Sequence, residues 1–154
     1  MRSGSGNFNK ASSMEQRDYL MQQIEQLGQV LAQMLAWLLG LRKKGGGSLE
    51  LEEIVQTYKS ELDIDLEELI QIHETDLITL LRRKNEYFET HLDIVADILH
   101  ETALNYFRHE RPEDGKKLLR KAIVILEYLQ SSSKNYSIDR MLKIENYNKT
   151  LDLS

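Results

Sequence analysis

Apolar residues recur every three or four positions along most of this chain, which is the period of a helix face, and no stretch shows convincing alternation of the kind a strand needs. Between Asp18 and Lys44 they fall at Leu20, Ile24, Leu27, Leu31, Met34 or Leu35, and Leu38, one continuous stripe. A second row, Val30, Trp37 and Leu41, widens that stripe towards its end. Arg42, Lys43 and Lys44 suit the negative end of a helix dipole, and Gly45, Gly46 and Gly47 stop the helix, which should cover residues 15–44.

The same period continues downstream. Leu51, Ile54, Val55, Tyr58 and Leu62 share a face, with Ser48 as a cap and Glu50, Glu52 and Glu53 in the first turn. Asp65 followed by Glu68 matches a capping box, so a new helix restarts there, then bends around His73–Asp76 into Leu77–Lys84; one continuous helix over 49–84 is the alternative. From Glu86 to His109 the apolar face is Phe88, Leu92, Val95, Ile98 or Leu99, Ala103 and Tyr106. Pro112 occupies a first helical position, where its missing N–H costs nothing, and opens a helix to about residue 130. Ser137 caps a last helix that uses Met141, Leu142, Ile144 and Leu151.

The expected fold class is therefore all-α, an array or bundle of five to six helices. Residues 1–13 hold no apolar core of signal-peptide length and read as a disordered tail or an added remnant, a native flexible arm being the alternative. Residues 14–154 read as one domain: a long amphipathic helix over 14–44, a Gly-rich linker over 45–48, acidic helices over 49–84, a helical hairpin over 86–130 and a C-terminal helix over 137–152.

Length and charge narrow the picture. With 154 residues and 41% apolar composition the chain can build one modest core. A net charge of −5 offers no general attraction to phosphate, and the absence of cysteine removes disulfides and thiolate chemistry while fitting a cytoplasmic address. Charge is uneven: residues 49–76 carry ten acids against Lys59, a local −9, whereas residues 108–121 carry six cations against three acids, a local +3. Two solvated faces with some mutual attraction are expected.

Within the hairpin, Ala103 is followed by Tyr106 three residues on, then Gly115, Leu119 and Ala122. Small residues let two backbones approach while Tyr106 and Leu119 fill the space beside the crossing, the arrangement of an antiparallel helix pair. This spacing resembles one tetratricopeptide repeat over roughly a fifth of the chain, with Leu99 at a position that is large and apolar in the repeat. It departs at the turn, where Glu110 or a neighbour replaces the usual glycine, and near Glu127, where no proline closes the second helix. Such a repeat cannot bury its own face alone, and no second copy occurs at a fixed period, so the resemblance implies that the helices over 15–84 cover it. The first helix, with Asp18, Tyr19, Ile24, Glu25, Leu27, Leu31 and Ala32, also resembles the opening of an uncharacterised bacterial family of small all-helical proteins, a domain of unknown function that carries no site across.

Chemistry-bearing motifs are incomplete. "VLAQMLAWLLGL" is too short to span a membrane and Gln33 interrupts it, although Trp37 beside Arg42–Lys44 suits an interfacial helix. His73, His100 and His109 each precede a Glu, but Leu77, Leu104 and Glu113 stand where the second zinc histidine would be. Asp97 and His100 make only half of a dinuclear carboxylate pattern. The glycines of "KKGGGSLE" lack a phosphate-loop ending, and Ser131–Ser133 have no positioned base. Lys116, Lys117, Arg120 and Lys121 would put four cations on the outer face of one helix without aromatics for base stacking, which disfavours nucleic acid.

These readings point to a small cytoplasmic protein-interaction or scaffold module without catalytic activity, cofactor or metal, binding a protein or peptide. Asn105, Arg108 and Arg111 are the expected partner contacts, and Val30, Trp37 and Leu41 the expected dimer or partner-helix row. Peripheral membrane attachment through the helix at 14–44 is the alternative, with a nucleic-acid-binding or metal-dependent protein behind it.

Overall fold

The computed structural model describes residues 2–44, 47 and 49–154, with side chains from residue 13 onward. Among these residues the chain is all-α, a bundle of seven α-helices with no strand. They are α1 (Arg2–Lys44), α2 (Glu50–Leu62), α3 (Leu66–Gln71), α4 (Leu77–Lys84), α5 (Leu92–Arg108), α6 (Pro112–Ser132) and α7 (Ile138–Leu153), with 3₁₀ turns at Glu74–Asp76 and Glu86–His91. The first of those turns splits the acidic segment's second helix into α3 and α4, which raises the count above five or six.

Each break has a local cause. Asp63 adopts a left-handed backbone (φ 54) that ends α2, its carboxylate meeting Lys59 Nζ at 2.9 Å. Asp65 then accepts from the N–H groups of Glu67 and Glu68 and starts α3, so a continuous helix over 49–84 does not form. Ser137 Oγ caps α7 by accepting from Arg140 N–H at 3.2 Å, and Pro112 opens α6. Ser48, Gly45 and Gly46, the expected cap and helix stop, lie outside the described residues; α1 ends at Lys44 and Leu49 precedes α2 without a side-chain cap. The helix of α1 also extends upstream of Met14, through residues read from sequence as a tail.

The core sits at the α5–α6 hairpin and beneath α1. Ala103 and Ala122 are wholly buried and Gly115 is buried between them. A Cβ added at Gly115 would lie 2.7 Å from the Phe107 ring and 3.1 Å from the Ala103 carbonyl, so glycine permits this approach of the two backbones. In the connecting turn Glu110 has φ 59, the left-handed conformation a glycine adopts without cost, and Arg111 N–H closes the turn on the Tyr106 carbonyl at 3.0 Å. Leu27, Leu31, Met34 and Leu38 of α1 are buried against this body, mainly on α5. The upstream end of that stripe departs from expectation: Leu20 is 45% exposed, and Met14, Tyr19 and Met21 are exposed beside it. At 43 residues α1 is roughly 65 Å long, more than the body can cover.

On the opposite flank, α7 is held by Arg140 to Asp93 (2.8 Å) and by Lys143 and Tyr147 to Asp97. Arg82, Glu89 and Tyr128 tie α4 to α6 through a bidentate ion pair at 2.9 Å and a phenol hydrogen bond at 2.7 Å.

A candidate docking groove and the fate of the other candidate sites

The three residues expected to meet a partner are mostly committed within the chain. Asn105 is wholly buried, its amide donating to the Glu101 carbonyl at 2.8 Å and its oxygen accepting from Arg108. Arg108 also donates to Glu50 Oε1 at 2.9 Å, and His109 Nε2 lies 3.1 Å from the other Glu50 oxygen. Glu50, only 4% exposed at the start of α2, therefore clamps the end of α5. Arg111 is exposed, paired with Asp114 and set over the Tyr106 ring at 5.7 Å. Burial pushes the Tyr106 phenol up to about 12. Asn105 thus offers no atom to a partner, and Arg108 holds two helices together; the attraction between the acidic middle and the basic hairpin is spent inside the molecule. Sequence spacing could not reveal this, because Glu50 and Arg108 are 58 residues apart.

The basic face of α6 is likewise incomplete. Lys121 is 3% exposed and donates to the Ile70 carbonyl at 2.9 Å, satisfying the end of α3; burial lowers its ammonium below the ordinary lysine value. Lys117 reaches Gln71 at 3.1 Å, and Lys116 pairs loosely with Glu113. Four outward cations on one helix do not exist, since Lys121 points inward.

Histidines and carboxylates form no metal site among the described residues. His73 caps the 3₁₀ turn through Thr75. His91 sits in the notch left by Gly28, its Nε2 2.7 Å from the Ile24 carbonyl. A glycine inside an otherwise helical apolar pattern was the available signal for that contact. His100 stacks on Tyr147 with centroids 4.1 Å apart and lies 3.5 Å from Glu101, which Arg42 approaches at 3.4 Å. Asp97, the other half of the dinuclear pattern, is taken by Lys143 and Tyr147.

The row Val30, Trp37, Leu41 divides. Leu41 is half-buried at the edge of the core. Val30 and Trp37, also half-buried, line a groove between α1 and α2. One depression of about 240 Å³ is bounded by Val30, Met34, Trp37 and Glu61. A second, open one of about 480 Å³ lies on the other side of Trp37, bounded by Leu49, Glu52 and Glu53. The two helices contact each other sparsely, because α1 is seated on α5 and the first turn of α2 is drawn to the end of α5 by Glu50. Trp37 is the chain's one tryptophan. Its indole thus stands between two depressions, one edged by Glu61 and the other by Glu52 and Glu53.

Scans against protein-family models, curated proteins and solved structures each find no match to this chain.

Proposed function

We propose that the protein is a noncatalytic interaction module that takes an amphipathic helix of a partner protein into the α1–α2 groove. The observation that supports this most is Trp37, half-buried between two open depressions on a helix that buries Leu31, Met34 and Leu38 in the core. Aromatic anchors beside pockets are where binding energy concentrates at interfaces, and a groove between two helices suits a third helix presenting residues at i, i+3 and i+4. The resemblance of α5–α6 to a tetratricopeptide repeat agrees with a scaffold role, while the docking face is displaced from Asn105 and Arg108 to Val30, Met34 and Trp37.

Photo-cross-linking tests the proposal. A cross-linker at Gln33 or Gln56, both groove positions, should give a discrete adduct that Trp37→Asp abolishes, and the same group at Glu145 on α7 should not. Equal labelling from all three positions, or labelling indifferent to Trp37→Asp, overturns it. An adduct of twice the chain mass would make the partner a second copy.

A second reading is peripheral membrane attachment. It is favoured by Met14, Tyr19, Leu20 and Met21, exposed at 62, 61, 45 and 53% on the overhanging half of α1. No described helix is long and apolar enough to cross a membrane. Flotation with vesicles containing anionic lipid at low salt, lost in Leu20→Ser/Met21→Ser, is the expected result of this reading; absence of flotation removes it.

A further inference from the structure

We infer that the helix received by the α1–α2 groove is cationic, with basic residues about two turns apart flanking its apolar anchors. This rests on the docking role proposed for the groove and adds the chemistry of the occupant. Glu52 and Glu53 border the depression on one side of Trp37, and Glu61 borders the depression on the other. No Lys, Arg or His lines either depression. The three carboxylates carry no ion pair among the described residues, whereas Glu50 of the same helix faces away and is doubly paired. Lys59, the one cation of α2, is engaged by Asp63.

The geometry sets the spacing. Glu53 and Glu61 are eight residues apart on α2, a rise of about 12 Å. A helix laid along the groove would meet them with cations seven or eight positions apart, while residues between them reach Val30, Met34 and Trp37. Burying that apolar surface supplies affinity, and the carboxylates select sign and orientation. An anionic helix would bring like charges together around a partly desolvated floor, which is the costlier arrangement.

Trp37 reports the outcome directly, because its fluorescence has no other tryptophan behind it. Three amphipathic peptides of one length and one leucine pattern, free of tryptophan, are titrated into the full chain: one with Lys, one with Gln and one with Glu on the polar face. The Lys peptide should shift Trp37 emission to the blue and saturate, at least tenfold more tightly than the Gln peptide, with the advantage shrinking as salt rises. Glu52→Lys/Glu53→Lys/Glu61→Lys should reverse the order, so that the Glu peptide binds best. A control with equal charge change elsewhere, Glu127→Lys/Glu145→Lys/Asp152→Lys, should weaken the Lys peptide less than threefold.

Equal binding of Lys and Gln peptides, preference for the Glu peptide, or equal loss in the two triple variants would overturn the cationic assignment and leave the docking role standing. Failure of every peptide to move Trp37 emission would overturn the docking role itself. Should the groove variant unfold by circular dichroism, the Lys-to-Gln ratio and its salt dependence in the unmodified protein decide the matter.

Discussion

Two helix pairs in this molecule meet in opposite ways. Between α5 and α6 small residues close the seam: Ala103, Gly115 and Ala122 bring the backbones together, and Leu119 and Tyr106 fill the flanks, both at 1% exposure or less. Between α1 and α2 the apolar residues are large, Val30, Met34 and Trp37, and the two helices are anchored elsewhere, so the space between them stays open. Small side chains close a seam; a bulky aromatic beside a poorly filled one leaves a groove. The first pair is closed core, and the second leaves Trp37 between open depressions.

The contrast is testable by substitution. Leu119→Ala, at a fully buried position, should cost about 2–5 kcal/mol in urea unfolding, whereas Leu20→Ala on the overhang should cost under about 0.5 kcal/mol. Comparable losses would mean the overhang of α1 is packed on something the isolated chain already contains.

Glu50→Ala comes next. It removes the buried acceptor shared by Arg108 and His109 and should destabilise by about 1–3 kcal/mol. Combining it with Arg108→Ala should cost less than the two separate losses added, because the shared contact is lost only once. Additive behaviour in that double-mutant cycle would break the assignment of Glu50 as the clamp that draws α2 away from the groove.

Glu110→Gly should have the opposite sign. Its left-handed backbone penalises a side chain, so glycine there should raise stability by up to about 1 kcal/mol. A loss on this change would show that the Glu110 side chain matters more than its backbone.

The smallest effect concerns α7. The hydrogen bond from Arg140 holds the Asp93 carboxyl below the ordinary value of 3.8, so this pair stabilises the fold above that value and the contribution is lost as pH falls through the depressed one. Asp93→Asn should therefore lower the thermal midpoint slightly at neutral pH and flatten its decline below about pH 4. An unchanged acid profile would detach this pair from stability; its half-exposed carboxylate already limits the effect.

How far the fold could be read in advance differs by element. In the hairpin the close approach of Ala103, Gly115 and Ala122 was legible, since it depends on local spacing, whereas its first α-helix begins at Leu92 after a 3₁₀ turn and not at Glu86 as the apolar period suggested. The α2–α3 boundary was legible as the Asp65 cap but open as a break, because a left-handed Asp63 is a choice sequence permits without requiring. In α7 the row Met141, Leu142, Ile144 and Leu151 missed the buried member, Tyr147, whose place depends on stacking against His100 and bonding to Asp97. Of the candidate site residues, Val30 and Trp37 border an open depression while Asn105 turns inward, as does Lys121 of the basic face.

What the sequence determined on its own was everything set by neighbours within a turn or two: the helical period, the caps at Asp65 and Ser137, the start at Pro112 and the close approach at Gly115. Only the tertiary structure decided which charges were free. Arg108 and Lys121 look available in any reading of the chain, yet acceptors 58 and 51 residues away occupy them. A buried charge must find a partner wherever the fold supplies one, and so the carboxylates left outward around Trp37 became visible only once the others had been matched.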